Sequence, residues 1–290
     1  MPKRKWTRVT VLPGIVALVG LLLSTAAVQA QENKGRISLG AGVDFSHAYY
    51  FRGIRQTDES FVAQPYVDVT FNLYDGGEVL NSVDATVGIW NSFHSRNLGV
   101  VSDPSAWYEA DLYGGFTFGL FDKLETGVTY TAYTSPNSAF STVQEISFSF
   151  GFDDSDLLGP FALAPSAVLA VEVRGQADGG AKKGVFLALG VEPGLTLIES
   201  ERYPVSLSFP LTLGLSLSDY YEFGTGSDDT FGYFDLGVQL GVPLSFIPAA
   251  YGSWEAYARA DFLFLGDNLE AVNDGDSFQA VGTVGIALAY

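Results

Sequence analysis

Carboxylates are the side chains that this sequence offers most freely for chemistry. Asp and Glu number 33 against 15 Lys and Arg, a formal net charge of -18. Asp44, Asp68, Asp84, Glu109, Asp111, Glu125, Glu145, Glu172, Glu192, Asp235, Glu255 and Asp261 share one parity within their runs, alternating with apolar residues. Carboxylates spaced in this way attract cations and repel anions. A nucleic-acid partner is excluded, because that affinity comes from neutralising phosphates. The basic residues at comparable positions are Arg174 and Arg259, with Arg52 close to a chain reversal. The absence of cysteine removes thiol nucleophiles, thiolate metal sites and disulfides. A Ser–His dyad on an extended strand needs one residue between its members, so that both share a face. His94 is followed directly by Ser95 and His47 is preceded directly by Ser46, which sends each pair to opposite faces. No catalytic residue is assigned, and the chain is read as a non-enzyme. Gly-rich nucleotide loops and His-based metal spacings are missing, and the stretches NDGD and GSDD lack full calcium-loop spacing. Neither a metal nor a cofactor is therefore expected.

These residues need elements to carry them, and the spacing says which. From Arg36 to Tyr290 apolar residues alternate with small or polar ones, the period of a pleated strand with two different faces. Val205, Leu207, Phe209, Leu211, Leu213, Leu215 and Leu217 interleave with Ser206, Ser208, Pro210, Thr212, Gly214, Ser216 and Ser218. Such runs predict about twelve strands, at 36–51, 61–74, 80–94, 105–119, 123–135, 141–153, 161–175, 184–199, 203–218, 231–244, 252–266 and 278–290; ten to fourteen are compatible with the pattern. They are far longer than the five or six residues usual in soluble proteins. Long polar connections such as RGIRQTDES and DYYEFGTGSDDT follow odd-numbered strands, and mostly tighter ones such as DGGEV and FD follow even-numbered ones. Long links on one side, short links on the other and an even count predict an all-β fold, a closed antiparallel transmembrane β-barrel. Closure is required because hydrocarbon offers no hydrogen-bond partner to an open sheet edge.

Residues 1–30 begin with Lys3, Arg4, Lys5 and Arg8, continue through an apolar stretch from Val9 and end in Val28-Gln29-Ala30. This is the pattern of a cleaved signal peptide. Residues 31–290 then form one barrel, expected in the outer membrane with periplasmic termini and with lipid and lipopolysaccharide around it. The last strand puts Phe278, Val284, Ile286, Leu288 and Tyr290 on one face, which resembles the C-terminal signal recognised by the outer-membrane barrel-assembly machinery. Tyr49, Tyr50, Phe51, Trp90, Phe93, Trp107, Tyr108, Tyr220, Tyr221, Phe223, Trp254 and Tyr257 cluster near strand ends, where interfacial girdles are expected. With apolar residues outward, the twelve carboxylates and the two arginines line the lumen. So many charges cannot be kept dry, and about twelve strands leave a narrow passage. The expectation is a narrow, water-filled, cation-preferring diffusion channel, porin-like, for small cationic or neutral solutes. The alternative is a plugged, non-conducting barrel with a structural or surface-binding role; an outer-membrane lipid hydrolase is a more distant one.

The segment from Ser46 to Tyr66, SHAYYFRGIRQTDESFVAQPY, resembles an uncharacterised proteobacterial family of outer-membrane proteins. In that family a first strand is followed by Y-x-F-R-G-[IV]-[SR]-Q-T. Tyr49, Phe51, Arg52, Gly53, Ile54, Gln56 and Thr57 match, while Ala63-Gln64-Pro65 stands where members often have V-Q-G. About twenty residues carry the likeness, and it implies no activity, since the family has none established. Within the motif Gly53 suits a turn with positive φ. Arg52 is expected just inside it, clamping the first loop or meeting acidic wall residues such as Asp68 and Asp84.

Overall fold

A computed structural model describes residues 35–95, 106–200, 203–223 and 226–290; the expected signal peptide, 1–30, and most of the loop before Trp107 lie outside the described residues. The elements are β1 (Ile37–Ser46), β2 (Tyr49–Phe51), β3 (Ile54–Thr57), β4 (Val62–Asp75), β5 (Leu80–His94), β6 (Trp107–Leu120), β7 (Leu124–Thr134), β8 (Val143–Phe152), α1 (Ser155–Leu158), β9 (Ser166–Arg174), β10 (Val185–Val191), β11 (Gly194–Ile198), β12 (Val205–Ser208), β13 (Leu211–Ser218), β14 (Phe231–Pro243), β15 (Ser253–Leu265), α2 (Asp267–Val272) and β16 (Phe278–Ala289). β2 and β3 form a separate hairpin, and the other strands form one sheet. In that sheet β10–β11 and β12–β13 each correspond to one expected strand. The interruptions fall at Glu192-Pro193 and Phe209-Pro210, where proline has no N–H to give the ladder.

Counted this way there are twelve spans, each antiparallel to its neighbours. The sheet closes because β1 pairs with β4 on one side and with β16 on the other, Gly40 facing Ala289 and Ser46 facing Thr283, while β14 pairs with β15. The ends of the chain's barrel meet through Leu39 N–H to Tyr290 O (2.8 Å) and Tyr290 N–H to Leu39 O (2.9 Å). The ring of spans closes on itself, as a sheet surrounded by hydrocarbon requires; among the described residues the short β11 pairs on one side only, with β12.

The two faces divide as the alternation demands. Along β4, Gln64, Tyr66, Asp68 and Thr70 are buried, whereas Val67 and Phe71 are each 40 % exposed. Phe278, Val284 and Ile286 of β16 also point outward and are exposed, as are Phe148 and Phe150 of β8. Polar inside and apolar outside inverts the arrangement of a water-soluble sheet and suits hydrocarbon as the surrounding medium.

Inside, tyrosines of one strand lie over glycines of the next: Tyr66 over Gly42, Tyr113 over Gly88 and Tyr257 over Gly285. A side chain at any of these glycines would collide with the ring that lies over it. Gly42→Val is expected to destabilise the barrel by about 2 kcal/mol through overpacking. The measurement is the urea midpoint of the folded protein in detergent, with an outward change of similar size, Ala41→Val, leaving it nearly unchanged.

Candidate functional site

The long-loop end of the barrel is filled rather than open. The first expected strand, 36–51, stops at Ser46, and the chain then turns inward as the β2–β3 hairpin. Arg52 (φ 50°) and Gly53 (φ 82°) make the reversal, the left-handed region that glycine enters at no steric cost. Gly53 also has to be bare because Leu269 of α2 packs where its Cβ would stand, 2.6 Å away. Asn273 Nδ2–H donates to Gly53 O at 2.9 Å, and Tyr221 O–H donates to Arg52 O at 3.0 Å. Two aromatic groups pack around the hairpin: Tyr49, Phe51, Val62, Tyr66, Trp90, Tyr133 and Val143 on one side, and Phe186, Tyr220, Tyr221, Tyr233, Leu263, Leu265 and Leu269 on the other.

At the centre is Arg52. Its Nη1 and Nη2 donate to the two carboxylate oxygens of Glu145 at 2.9 and 2.8 Å, and Nη1 also donates to Tyr220 Oη at 2.6 Å. The guanidinium lies over the rings of Phe186, Phe51 and Tyr220, 4.4, 4.9 and 5.3 Å from their centres. A bidentate pair enclosed by aromatic faces is a strong and directional arrangement. The partner differs from the wall residues expected from sequence, Asp68 and Asp84: β8 brings Glu145 to the mouth, whereas those two sit lower on β4 and β5.

The aromatic girdles also need correction. Phe93 and Trp107 do face outward and stack on each other (5.9 Å between centroids), and outward-facing Trp254 donates Nε1–H to Tyr251 O. Tyr49, Phe51, Trp90, Tyr220, Tyr221 and Tyr257 instead face inward and are buried. Parity already implied two of these: Trp90 shares the face of Asp84, and Tyr257 that of Glu255 and Arg259.

The expected lumen residues take several positions. Asp44, Asp68, Glu109, Asp111, Glu145, Glu172, Glu192, Asp235 and Arg259 are buried on the inner face, and Asp84, Glu125, Glu255 and Asp261 are half-buried there. Arg174 is exposed at the rim. Arg259 donates Nε–H to Asp261 at 2.6 Å and lies 3.6 Å from Asp235. Asp44 accepts from Tyr257 O–H, and Asp84 accepts from Asn72 Nδ2 at 2.7 Å. Glu172 has a different job, since its carboxylate accepts N–H donors of Ala177 (2.5 Å) and Gly184 (2.6 Å) and so staples the 175–184 loop. At the outer rim, beyond the spans, the Lys182 ammonium and the Ser218 hydroxyl hold the Asp219 carboxyl below its ordinary range. Among the described residues no group of three or more His, Cys, Asp or Glu side chains is arranged to hold a metal ion.

One pair escaped the sequence reading. Ser92 Oγ lies 3.0 Å from His94 Nε2, with Gln64 Nε2 donating to the same hydroxyl at 3.3 Å. The spacing of two sought on the C-terminal side of His94 is present on its N-terminal side. Ser92 is 0 % exposed and the His94 ring is stacked on Tyr108 at 4.2 Å, so the pair is packed beneath the hairpin.

No family model and no curated sequence matches this chain. Its fold is similar to an outer-membrane channel from Pseudomonas putida F1 (11% identity, covering 91% of this chain and 98% of that one, TM-score 0.48). It is also similar to the beta domain of the Bordetella autotransporter BrkA (10% identity, 88% and 98% covered, TM-score 0.46) and to the translocator domain of the autotransporter NalP from Neisseria meningitidis (14% identity, 90% and 91% covered, TM-score 0.41). These are likenesses of fold at low identity. On its own geometry, a closed antiparallel sheet of twelve spans with an apolar exterior and a polar interior, the chain is an outer-membrane-type β-barrel.

Proposed function

We propose that this barrel is a narrow, cation-preferring diffusion channel of the outer membrane for small cationic or neutral solutes, with its outer mouth held shut by the first loop. The observation that carries the reading is the charge balance of the inner face. Twelve carboxylates, Asp44 through Asp261, stand on it against Arg52 and Arg259, and both arginines are already engaged by Glu145, Asp235 and Asp261. An acidic passage concentrates cations and raises the barrier to anions. In this reading Arg52 and Gly53 clamp the closed position, so conduction follows when the hairpin lifts. The leader directs export, Phe278, Val284, Ile286, Leu288 and Tyr290 serve assembly, the termini face the periplasm, and the acidic outer loops meet lipopolysaccharide.

A second reading is supported by the packing of the mouth itself: a permanently plugged barrel with a structural or surface-binding role. Planar-bilayer recording in a KCl gradient separates the two. The channel reading expects openings whose reversal potential lies on the cation side, more frequent when residues 49–57 are replaced by a short Gly-Ser link. Anion preference, or silence from both forms, overturns it, and silence favours the plug.

A further inference from the structure

The first loop covers two acids besides the Glu145 that its Arg52 engages. Glu109 and Asp111 of β6 stand two residues apart on the inner face and are 4 % and 2 % exposed. Asp111 lies opposite Trp90 of β5 and Tyr133 of β7, and on those two rings sit the hairpin's Tyr49 (5.6 Å between centroids) and Phe51 (5.2 Å). The Tyr49 phenol lies beside Glu109, and the two carboxyls are within interacting range of each other. Among the described residues neither forms an ion pair, because the guanidinium in the mouth is committed to Glu145 at 2.8 Å. The other titratable groups around the pair are His94 of β5, turned to Ser92 Oγ, with Tyr108 and Tyr113 of β6, Tyr133 of β7 and Glu145 of β8.

Like charges packed side by side away from water do not both ionise, and an unmatched buried carboxylate is costly. While the hairpin covers them, Glu109 and Asp111 therefore keep a proton between them. Once Tyr49 and Phe51 lift away and water reaches the wall, both acids ionise in the ordinary carboxylate range, about pH 4, and that proton goes to solvent. Closing takes up a proton and opening releases it, so the closed state loses ground as the pH rises. We propose that Glu109 and Asp111 make the first loop a proton-linked latch, shut in acid and released toward alkaline pH. The inference rests on the clamped first loop of the proposed channel and adds what operates it.

The test is cleavage of the folded barrel in detergent by proteinase K near residues 54–60, each rate divided by that on a peptide substrate at the same pH. Between about pH 5.5 and 8 the corrected rate is expected to rise, by up to about tenfold per pH unit for one proton. Glu109→Gln combined with Asp111→Asn keeps the shapes and removes both titrations, so cleavage should stay at the low, acid level throughout. If heat-modifiable gel mobility shows that this double variant does not fold, Glu109→Gln alone should make the rise shallower. His94→Gln should leave the rise in place. Parental cleavage that is level or falls with pH, a rise undiminished in whichever acid variant folds, or a rise that vanishes in His94→Gln overturns the latch. Reversal potentials keep the two failures apart. Cation-preferring openings with pH-independent cleavage remove the latch alone; anion preference or silence with cleavage that rises removes the channel reading alone.

Discussion

Arg52→Ala is expected to free the first loop. The substitution leaves Glu145, whose side chain is 1 % exposed, without its counter-ion, and losing one partner of a buried pair costs about 3–5 kcal/mol. It also removes the donor to Tyr220 and the cation seated among three rings. The hairpin keeps its other ties, to Tyr221, Asn273 and Leu269, from Arg55 to Asp274, from Tyr108 O–H to Gln56, and through Tyr49 on Trp90 and Phe51 on Tyr133, but the lost pair lies between hairpin and wall, so the cost falls on docking of the hairpin more than on the barrel wall. Limited proteolysis of the intact, folded protein should cut near residues 54–60 much faster than in the parent, and channel openings should become more frequent. Arg52→Lys keeps the charge but not the planar fork, so its rescue should be partial. If neither protease sensitivity nor opening frequency changed, the clamp would have to be abandoned.

Arg259→Ala should produce the opposite pattern of symptoms. Arg259 balances Asp261 at 2.6 Å and Asp235 at 3.6 Å. Its removal leaves two adjoining carboxylates on the inner wall without that cation, again a loss on the order of 3–5 kcal/mol, read as a lower urea midpoint of the whole barrel. The mouth is untouched, so protease sensitivity of the first loop should stay at the parental level. The lumen becomes more negative, and the reversal potential in a KCl gradient should move further toward the cation side. A shift toward anions would contradict the acidic-passage reading directly.

What the sequence made legible was whatever depends on a period of two. The spans, the closed sheet and the outward set on β16 all follow from alternation, because successive side chains of a strand point to opposite faces. The same rule hides other things. Tyr49, Tyr50 and Phe51 continue the run begun at Arg36 without a turn signal at Ser46, so the pattern does not separate the end of the wall strand from a hairpin that leaves the wall; the turn at Arg52 and Gly53 is legible, its inward course is not. The breaks at Pro193 and Pro210 could have been anticipated, since a proline inside a sheet forfeits a ladder bond. Trp90 and Tyr257 were expected at the interface on residue type alone, although their parity with Asp84 and Glu255 put them inside. Ser92 lies on the N-terminal side of His94, whereas Ser95, the serine adjoining it in sequence, falls on the opposite face. The Arg52–Glu145 pair spans 93 residues of sequence, and no local pattern specifies which of the inner carboxylates a guanidinium in the mouth will meet.

The whole account depends on which side of the sheet each residue of a span meets. The chain contains no cysteine, so single replacements along β4, from Tyr66→Cys to Phe71→Cys, can each carry one spin label in lipid vesicles without background. The account predicts that labels at Val67, Val69 and Phe71 are relaxed by oxygen dissolved in the hydrocarbon, while labels at Tyr66, Asp68 and Thr70 are shielded from it, the two sets alternating residue by residue. Oxygen reaching all six positions equally, or reaching the second set in preference to the first, would contradict it.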